Sequence, residues 1–398
     1  MSPIELSVCL TRIQTTEDID RLLAPYNAKR PPDERSHVHV ILWDDYKSEL
    51  TSMALYGRGS DVSQVGAPLM SDLLAMNALR PFKEIEVATM GGANAFNPIA
   101  WQSSRRVFER QVWAIPWLAD PRVIYYWRDL LEKAGVDEAT AFSTFDHLFE
   151  TLKRLQVSGI EAPFVLPISN KLQTLQTACS WIWGFGGDFV TPDGKNMTFH
   201  QAPALAGLKS FFSLYRYMPK EGQPFDFSPT QDYFINQRAA VTIGNLGPGI
   251  NILKDVQSEK RAKLGVALPP GPPYVGGSSL IIWKHTRHEQ DDLELIRYLV
   301  SYEAQVEYCQ RIGYMPVRLD ALAQPPYSTD YLYRNFTQAL EKGRIFPTIK
   351  LGGLLEDRLS TVLDQIWHDI IADPEVDLDA TIGKWLNPLV RRFELWAS

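Results

Sequence analysis

One stretch decides the fold of this chain: VWAIPWLADPRVIYYWRDLLEKAG, at residues 112–135. Its first four residues predict a strand that ends at Pro116, because proline removes a backbone donor. Val123–Trp127, apolar and aromatic, predicts a second strand, and a helix is predicted from Arg128 to Ala134, closed by Gly135. We therefore expect residues 116–122 to cross from one lobe of the protein to another.

Strands and helices alternate on both sides of this stretch. Toward the N-terminus, predicted strands at 4–10, 37–43 and 61–65 are followed by predicted helices at 17–26, 45–56 and 70–76. This alternation predicts an α/β fold with a largely parallel sheet and crossover helices. Toward the C-terminus we expect helices at 144–155, 201–217, 230–237, 291–301 and 303–312, strands at 239–243, 265–268 and 280–283, and a final eighty residues that are helical throughout.

The proline-rich stretch 269–273 is the second predicted crossing, since proline stiffens a connection between lobes. A chain of 398 residues is long enough for two α/β lobes. We expect both lobes to be discontinuous in sequence. Residues 1–118 with 268–322 are predicted to form the first lobe, and residues 119–267 with 323–398 the second.

The composition is that of a globular protein, with 45% hydrophobic and 11% aromatic residues. A net charge of −7 argues against nucleic-acid binding, which favours basic patches. Cys9, Cys179 and Cys309 lie far apart without metal-ligand spacing, and we expect three buried thiols. No run approaches the roughly 18 apolar residues of a membrane span, and the N-terminus lacks the pattern of a signal peptide.

Five stretches, in this order and spacing, resemble family 1 of the extracellular solute-binding proteins, the maltose-binding-like group. The strongest is residues 112–135, with a proline, an acid, an arginine, paired tyrosines and a helix ending in Lys-Ala-Gly. Thr144-Phe-Asp-His-Leu resembles the family's Thr-Trp-Asp-Glu-Leu helix start. The other three are residues 59–66 with 73–82, residues 236–249, and residues 275–279 with 301–305 and 313–318.

The resemblance implies a type II periplasmic-binding-protein fold, with two lobes joined by a hinge. It implies that the chain is the substrate-binding subunit of an ABC importer, which holds its ligand in the cleft between the lobes and closes on it. It further implies membrane permease subunits as partners, an extracytoplasmic location, and neither a cofactor nor a metal. We expect a monomer.

Asp120 and Arg122 lie in the first predicted crossing, at the floor of the implied cleft. A carboxylate can accept hydrogen bonds from two neighbouring hydroxyls, and a guanidinium presents several donors in a fixed fork. These properties suit a sugar. A solvated ion pair within a loop is the alternative interpretation of these two residues.

Two tryptophans are candidate stacking platforms: Trp43 at the end of a predicted strand, and Trp117 beside the crossing. Aromatic faces stack on the apolar side of a sugar ring, although many tryptophans simply pack in a core. Where the family often has an aromatic residue this chain has Gly249, which favours a short ligand. We expect a neutral mono- to trisaccharide or a polyol.

Small and polar residues on loops after strands complete the candidate site, because α/β clefts form at the carboxyl ends of strands. Glycine there lets a ligand approach backbone N–H groups, although ordinary tight turns use the same residues. These candidates are Gly66, Asn245, Gly276, Gly277 and Ser278. The resemblance implies a polar contact at Asn170, and Arg12 is a second cationic candidate beside Arg122.

The sequence carries no motif of an enzyme. Residues 184–187 do not form a Gly-x-Gly-x-x-Gly after a strand, residues 244–249 lack the lysine of a phosphate-binding loop, and no Gly-x-Ser-x-Gly is present. We therefore expect a binding protein without catalytic residues. The alternative is a carbohydrate-active enzyme that uses paired carboxylates in a cleft, for which no local motif places the two acids.

Overall fold

In the computed structural model, residues 3–10, 14–220, 226–246 and 258–397 are described. The chain divides into two compact units. The first comprises Met1–Asp120, Val275–Glu341 and Thr348–Gly353, and the second comprises Pro121–Tyr274, Lys342–Pro347 and Leu354–Ser398. Residues 323–341, predicted for the second lobe, lie in the first unit, where Tyr327 is fully buried.

The first unit is built on a seven-stranded sheet. Its strand order is β11-β5-β10-β3-β1-β2, and β4 also pairs with β10. The strands are β1 (Glu5–Leu10), β2 (His37–Leu42), β3 (Val62–Gly66), β4 (Leu79–Arg80), β5 (Ile115–Pro121), β10 (Val275–Trp283) and β11 (Met315–Pro316).

The prediction of a largely parallel sheet was wrong. Strand β1 is parallel to β2 and β3, but β10 runs antiparallel to β3 and β4, and β11 runs antiparallel to β5. In this sheet, the pairs recorded as parallel are those among the first three strands. Strand β10 enters the middle of the sheet from a distant part of the chain, and no local pattern gives its direction.

The second unit is built on a four-stranded sheet in the order β7-β8-β6-β9. Its strands are β6 (Val123–Trp127), β7 (Ala162–Val165), β8 (Ala239–Gly244) and β9 (Leu264–Ala267). Strand β6 is antiparallel to β8 and β9, and β7 is parallel to β8. Every residue of β6 is buried, as its unbroken apolar and aromatic sequence predicts.

The first predicted crossing is not a loop. Strand β5 runs through both prolines, from Ile115 to Pro121, and all seven of its residues are buried. The β11 ladder pairs only Leu118 and Ala119. Proline is tolerated in a strand where no ladder bond is required of its nitrogen, so Pro116 and Pro121 do not end the strand.

The second predicted crossing, residues 269–273, belongs to the second unit and packs on a helix of that unit. A Cβ added to Gly271 would lie 1.9 Å from the carbonyl oxygen of Ser180, so only glycine fits there. The chain enters the first unit after Tyr274.

Helices cover both sheets. Thr144 caps the helix Phe145–Val157, as predicted, because its hydroxyl accepts the His147 N–H at 3.1 Å. The three cysteines are buried, also as predicted. No helix in the described ranges has both the length and the apolar character needed to cross a membrane. The α-helices are Thr16–Asn27, Tyr46–Tyr56, Ala67–Ala75, Glu84–Thr89, Pro98–Trp101, Arg128–Lys133, Phe145–Val157, Lys171–Gly184, Ala202–Ser213, Phe227–Ile235, Ser258–Lys263, Glu289–Leu299, Tyr302–Ile312, Leu319–Leu322, Tyr331–Lys342, Gly352–Ala372 and Leu378–Ala397.

Candidate functional site

An exposed aromatic platform stands at the carboxyl edge of the first sheet. Trp43 directly follows β2, and 54% of its surface is exposed. Its ring stacks on Tyr46, with the ring centroids 5.9 Å apart and an angle of 4° between the planes. An indole face of this size is the surface on which the apolar side of a sugar ring stacks.

Tyr46 fixes this platform to the sheet. The Gly66 N–H, at the end of β3, donates to the Tyr46 hydroxyl at 2.6 Å. Burial raises the pKa of the Tyr46 hydroxyl, and the hydrogen bond from Gly66 offsets part of that rise. The two aromatic rings are therefore held at a fixed position beside Gly66.

Hydrogen-bonding groups continue along the same edge. The Gln64 amide accepts the Cys9 N–H at 3.1 Å and donates to the Ser278 hydroxyl at 2.9 Å. Ser278 pairs with Gly66 across the β10–β3 ladder. The sequence-predicted Gly66 and Ser278 are thus neighbours, and Gln64 links them to the first strand.

Gly277 brings β10 into close contact with β5. Its φ is +133°, and a Cβ there would lie 2.1 Å from the Leu118 carbonyl oxygen and 3.0 Å from the Ala119 Cα. This contact places the end of β5, and Asp120 with it, beside Gly276 and Gly277. Asp120 is buried.

Trp117 does not reach this edge. Its ring is fully buried and stacks on Tyr308, with the centroids 5.4 Å apart. Its carbonyl oxygen accepts the Gln305 side-chain amide at 2.7 Å. The ring belongs to the core of the first unit because β5, predicted to end at Pro116, continues through the tryptophan.

In the second unit, Arg122 stands at the edge where β6 begins and β8 ends. The arginine is buried, and its guanidinium donates to the Gln176 side-chain oxygen. Its backbone N–H donates to the Tyr274 carbonyl at 2.8 Å. The hydrogen bond to Gln176 therefore helps to orient the guanidinium.

Arg122 lines a cavity of about 30 Å³, which has room for about one water molecule or one ligand hydroxyl. The polar side chains around it are hydroxyls and amides. The lining residues are Arg122, Tyr125, Pro167, Gln173, Thr230, Gln231, Phe234, Thr242, Ile243 and Gly244. The Gln231 amide nitrogen is buried without a hydrogen-bond partner in the part of the chain that the structure describes.

Two predicted asparagines lie at this edge and have structural contacts. Asn170 caps the helix Lys171–Gly184, and its side-chain oxygen accepts the Gln173 N–H at 3.0 Å. The carbonyl oxygen of Asn245 accepts the Tyr125 hydroxyl at 2.7 Å. The Asn245 side-chain oxygen is buried and has no partner among the described residues.

Arg12 and Gly249 fall outside the described residues. Within the described ranges, no group of three or more histidine, cysteine, aspartate or glutamate side chains could hold a metal ion. Three side chains that the sequence analysis did not select belong to the two edges: Tyr46, Gln64 and Gln176. Of these three, only Gln64 could have been noticed in the sequence, because it is the one large polar residue in β3, whose other residues are apolar or small.

Two sheets of this order, the first of them assembled from separated parts of the chain, define the two-lobed α/β fold of the periplasmic binding proteins. Residues 18–306 match the family of bacterial extracellular solute-binding proteins. The chain belongs to this family.

Individual relatives are distant but similar over nearly the whole length. A putative binding protein of Brucella abortus is 21% identical over 360 residues, which cover 87% of this chain and 85% of the relative. The sn-glycerol-3-phosphate-binding periplasmic protein of Salmonella typhimurium is 21% identical, covering 95% and 90%. The structure of the sugar-binding protein MalE from Xanthomonas citri has a TM-score of 0.83, 19% identity and 99% coverage of both chains.

Proposed function

We propose that this chain is the substrate-binding subunit of an ABC importer and captures a neutral carbohydrate of one to three rings, or a polyol. The observation that carries the ligand class is the Trp43 platform. An exposed indole that is stacked on a fixed tyrosine offers a flat apolar face at the carboxyl edge of a sheet.

The polar groups beside the platform support the same ligand class. Gln64 and Ser278 in the first unit are neutral donors and acceptors that suit hydroxyl groups. In the second unit, Arg122 is surrounded by amides and hydroxyls. An acidic ligand would favour several cationic groups in place of these neutral ones.

The proposed mechanism is hinge closure around the ligand. Each unit offers one edge with polar side chains, and a ligand that binds to both edges stabilises the state in which they meet. Small-angle scattering with and without saturating sugar tests this part. A decrease in the radius of gyration is expected, and an unchanged radius at full occupancy would exclude closure.

The family supports the remaining parts of the proposal: permease subunits as partners, an extracytoplasmic location and no catalysis. We propose that the chain works as a monomer and needs no cofactor. A carbohydrate-active enzyme is the second candidate. If the protein converts oligosaccharides to products without saturable, reversible binding, the enzyme is correct and the binding protein is not.

A calorimetric screen against neutral sugars, polyols and sugar phosphates tests the ligand class. Trp43→Ala should lower the affinity for the best sugar by tenfold or more, because a stacked ring face is lost. Tyr56→Ala is the matched control, since Tyr56 is 68% exposed and lies at the other end of the helix that begins at Tyr46.

The control should bind sugar as the unchanged protein does, and both variants should keep its melting temperature. Equal affinity in Trp43→Ala and Tyr56→Ala would remove the platform from the site. Exclusive binding of an anion such as sn-glycerol 3-phosphate, the ligand that names the Salmonella relative, would overturn the neutral ligand class.

A further inference from the structure

A short turn in the first unit presents an aromatic ring to solvent. The Glu109 N–H donates to the Arg106 carbonyl at 3.1 Å, which closes a four-residue turn. Phe108, the third residue of that turn, has φ of +67°. Its side chain is 74% exposed, and Val107 beside it is 39% exposed.

Phenylalanine is the wrong residue for this backbone. A positive φ at the third position of a turn favours glycine or asparagine, and bulky side chains rarely adopt it. The described residues with positive φ other than glycine are Asn77, Phe108 and Gln237, so Phe108 is the aromatic one among them. Because the ring is largely exposed, packing in the core does not account for this strained backbone, which is a reason to look for a role outside the fold.

The base of the turn is held in place. The Glu109 carboxylate contacts the Arg106 guanidinium at 3.3 Å and accepts the Trp113 indole N–H at 3.4 Å. The Val107 N–H donates to the Thr348 carbonyl at 3.1 Å. The aromatic ring is therefore presented by a fixed turn and not by a loose loop.

The turn is basic although the chain as a whole is acidic. Arg105 and Arg110 flank it, both are exposed, and neither is ion-paired within the described ranges. Long arginine side chains around a small apolar tip are the arrangement with which proteins enter the interface of an anionic membrane, the tip going deeper than the charges.

We propose that this turn, Arg105–Arg110, inserts Phe108 into the surface of an anionic lipid membrane. A lipid layer suits the observations better than a protein partner does. Insertion needs only the surface of the tip itself, whereas a stable protein interface buries on the order of 800 Å² on each side. The contact would hold the protein weakly and reversibly at the membrane where an importer works, and it does not depend on which ligand the protein binds.

Phe108→Gly separates membrane binding from folding, because glycine relieves the backbone strain while removing the ring. The probes are vesicles of phosphatidylglycerol and phosphatidylcholine in equal parts, and vesicles of phosphatidylcholine alone. The unchanged protein should partition onto the anionic vesicles, and Phe108→Gly should do so about tenfold less, with an equal or higher melting temperature. Arg105→Gln with Arg110→Gln should weaken partitioning severalfold, and so should salt.

Ile85→Ala is the matched control, because Ile85 is 72% exposed elsewhere in the first unit. It should leave partitioning unchanged. Equal partitioning of Phe108→Gly and the unchanged protein, or equal partitioning onto both kinds of vesicle, would overturn the proposal. If the protein does not bind vesicles and Phe108 is required only for binding to a membrane protein, the proposal is wrong and Phe108 is part of a protein–protein interface. Sugar binding by Phe108→Gly should be unchanged, so a failure of the proposed function would be seen separately.

Discussion

The two units differ in what they present at the edges of their sheets. The first has an exposed indole face at Trp43 and half-buried neutral groups around it. The second has a buried guanidinium, Arg122, beside a cavity that would hold one hydroxyl group. The first edge is suited to the flat face of a ligand, and the second is suited to its hydroxyl groups. Under the proposed function, the first unit would contact the face of a sugar ring and the second its hydroxyl groups.

Two tryptophans show the largest expected contrast within the first unit. Trp117→Ala should lower the free energy of unfolding by about 3–5 kcal/mol, because a fully buried ring is lost and leaves a cavity. Trp43→Ala should change it by about 0.5 kcal/mol or less, because the ring is exposed. Urea unfolding of the two variants measures both changes. Similar losses in the two would show that Trp43 is part of the core.

Gly277 tests whether the edge of the first unit depends on close backbone contact. Gly277→Ala should lower the free energy of unfolding by roughly 3 kcal/mol or more, since the added Cβ would overlap the Leu118 carbonyl. Gly57→Ala is the control, because Gly57 also has positive φ but nothing within 4 Å of the added Cβ. Gly57→Ala should lower the free energy of unfolding by about 1–2 kcal/mol, which is the effect of backbone strain alone. If the two costs are equal in urea unfolding, the contact with β5 is not tight.

A substitution of Arg122 tests whether the second unit contributes a hydrogen bond to the ligand. Arg122→Ala should lower ligand affinity by about 1.5–3 kcal/mol, roughly ten- to a hundredfold, because a charged hydrogen bond to the ligand is lost. Arg238→Ala serves as the control, because Arg238 is an exposed arginine of the same unit that pairs with Glu161. Calorimetry should find normal affinity in the control. Unchanged affinity and lower stability in Arg122→Ala would make that arginine a structural residue.

A buried acid should make the first unit sensitive to pH. Burial raises the pKa of Asp292 to about 7. The hydrogen bond from Thr286 and the charge of Arg80 oppose the rise, and the charges of Asp61 and Asp291 add to it. The Thr286 hydroxyl contacts Asp292 at 2.6 Å and Asp61 at 3.0 Å, and its single proton cannot serve both carboxylates. A proton on Asp292 therefore stabilises the fold.

Because the pKa is higher in the folded state, this stabilisation is complete below about pH 4 and is lost as the pH rises through 7. Asp292→Asn should unfold at a higher temperature than the unchanged protein at pH 8, by an effect on the order of 1–2 kcal/mol. The difference should shrink as the pH falls and vanish below about pH 4. A pH-independent difference in the melting curves would contradict the buried proton.

Local signals predicted the elements that depend on local structure. Strand β6 has the predicted bounds because five apolar residues lie between Arg122 and the helix that follows. A helix start was predicted at Thr144, and Thr144 is the N-cap of the helix Phe145–Val157. The ends of β3 and the start of β10 were selected because loops after strands gather at a sheet edge, and Gly66 does pair with Ser278.

The features that the sequence did not predict depend on pairing between distant segments of the chain. Proline predicted the end of a strand at Pro116, but β5 continues through it to Pro121, and its ladder with β11 falls on Leu118 and Ala119. Because the strand was predicted to end before Trp117, this residue was also predicted as a candidate ligand contact. Trp43 and Trp117 both stand beside strands in the sequence, and only the position of the strand in the sheet separates an exposed ring from a buried one.

The interleaving of the two units along the chain has a consequence for synthesis on the ribosome. Strand β10 lies between β5 and β3 in the middle of the first sheet, yet it begins at Val275. The first 120 residues therefore emerge before the strand that separates β3 from β5 in the sheet. At 5–20 residues per second, β10 follows roughly 8–30 s later. During that interval β3 and β5 have no native neighbour on the side that β10 will fill, so these strand edges can pair with other chains until the first unit is complete.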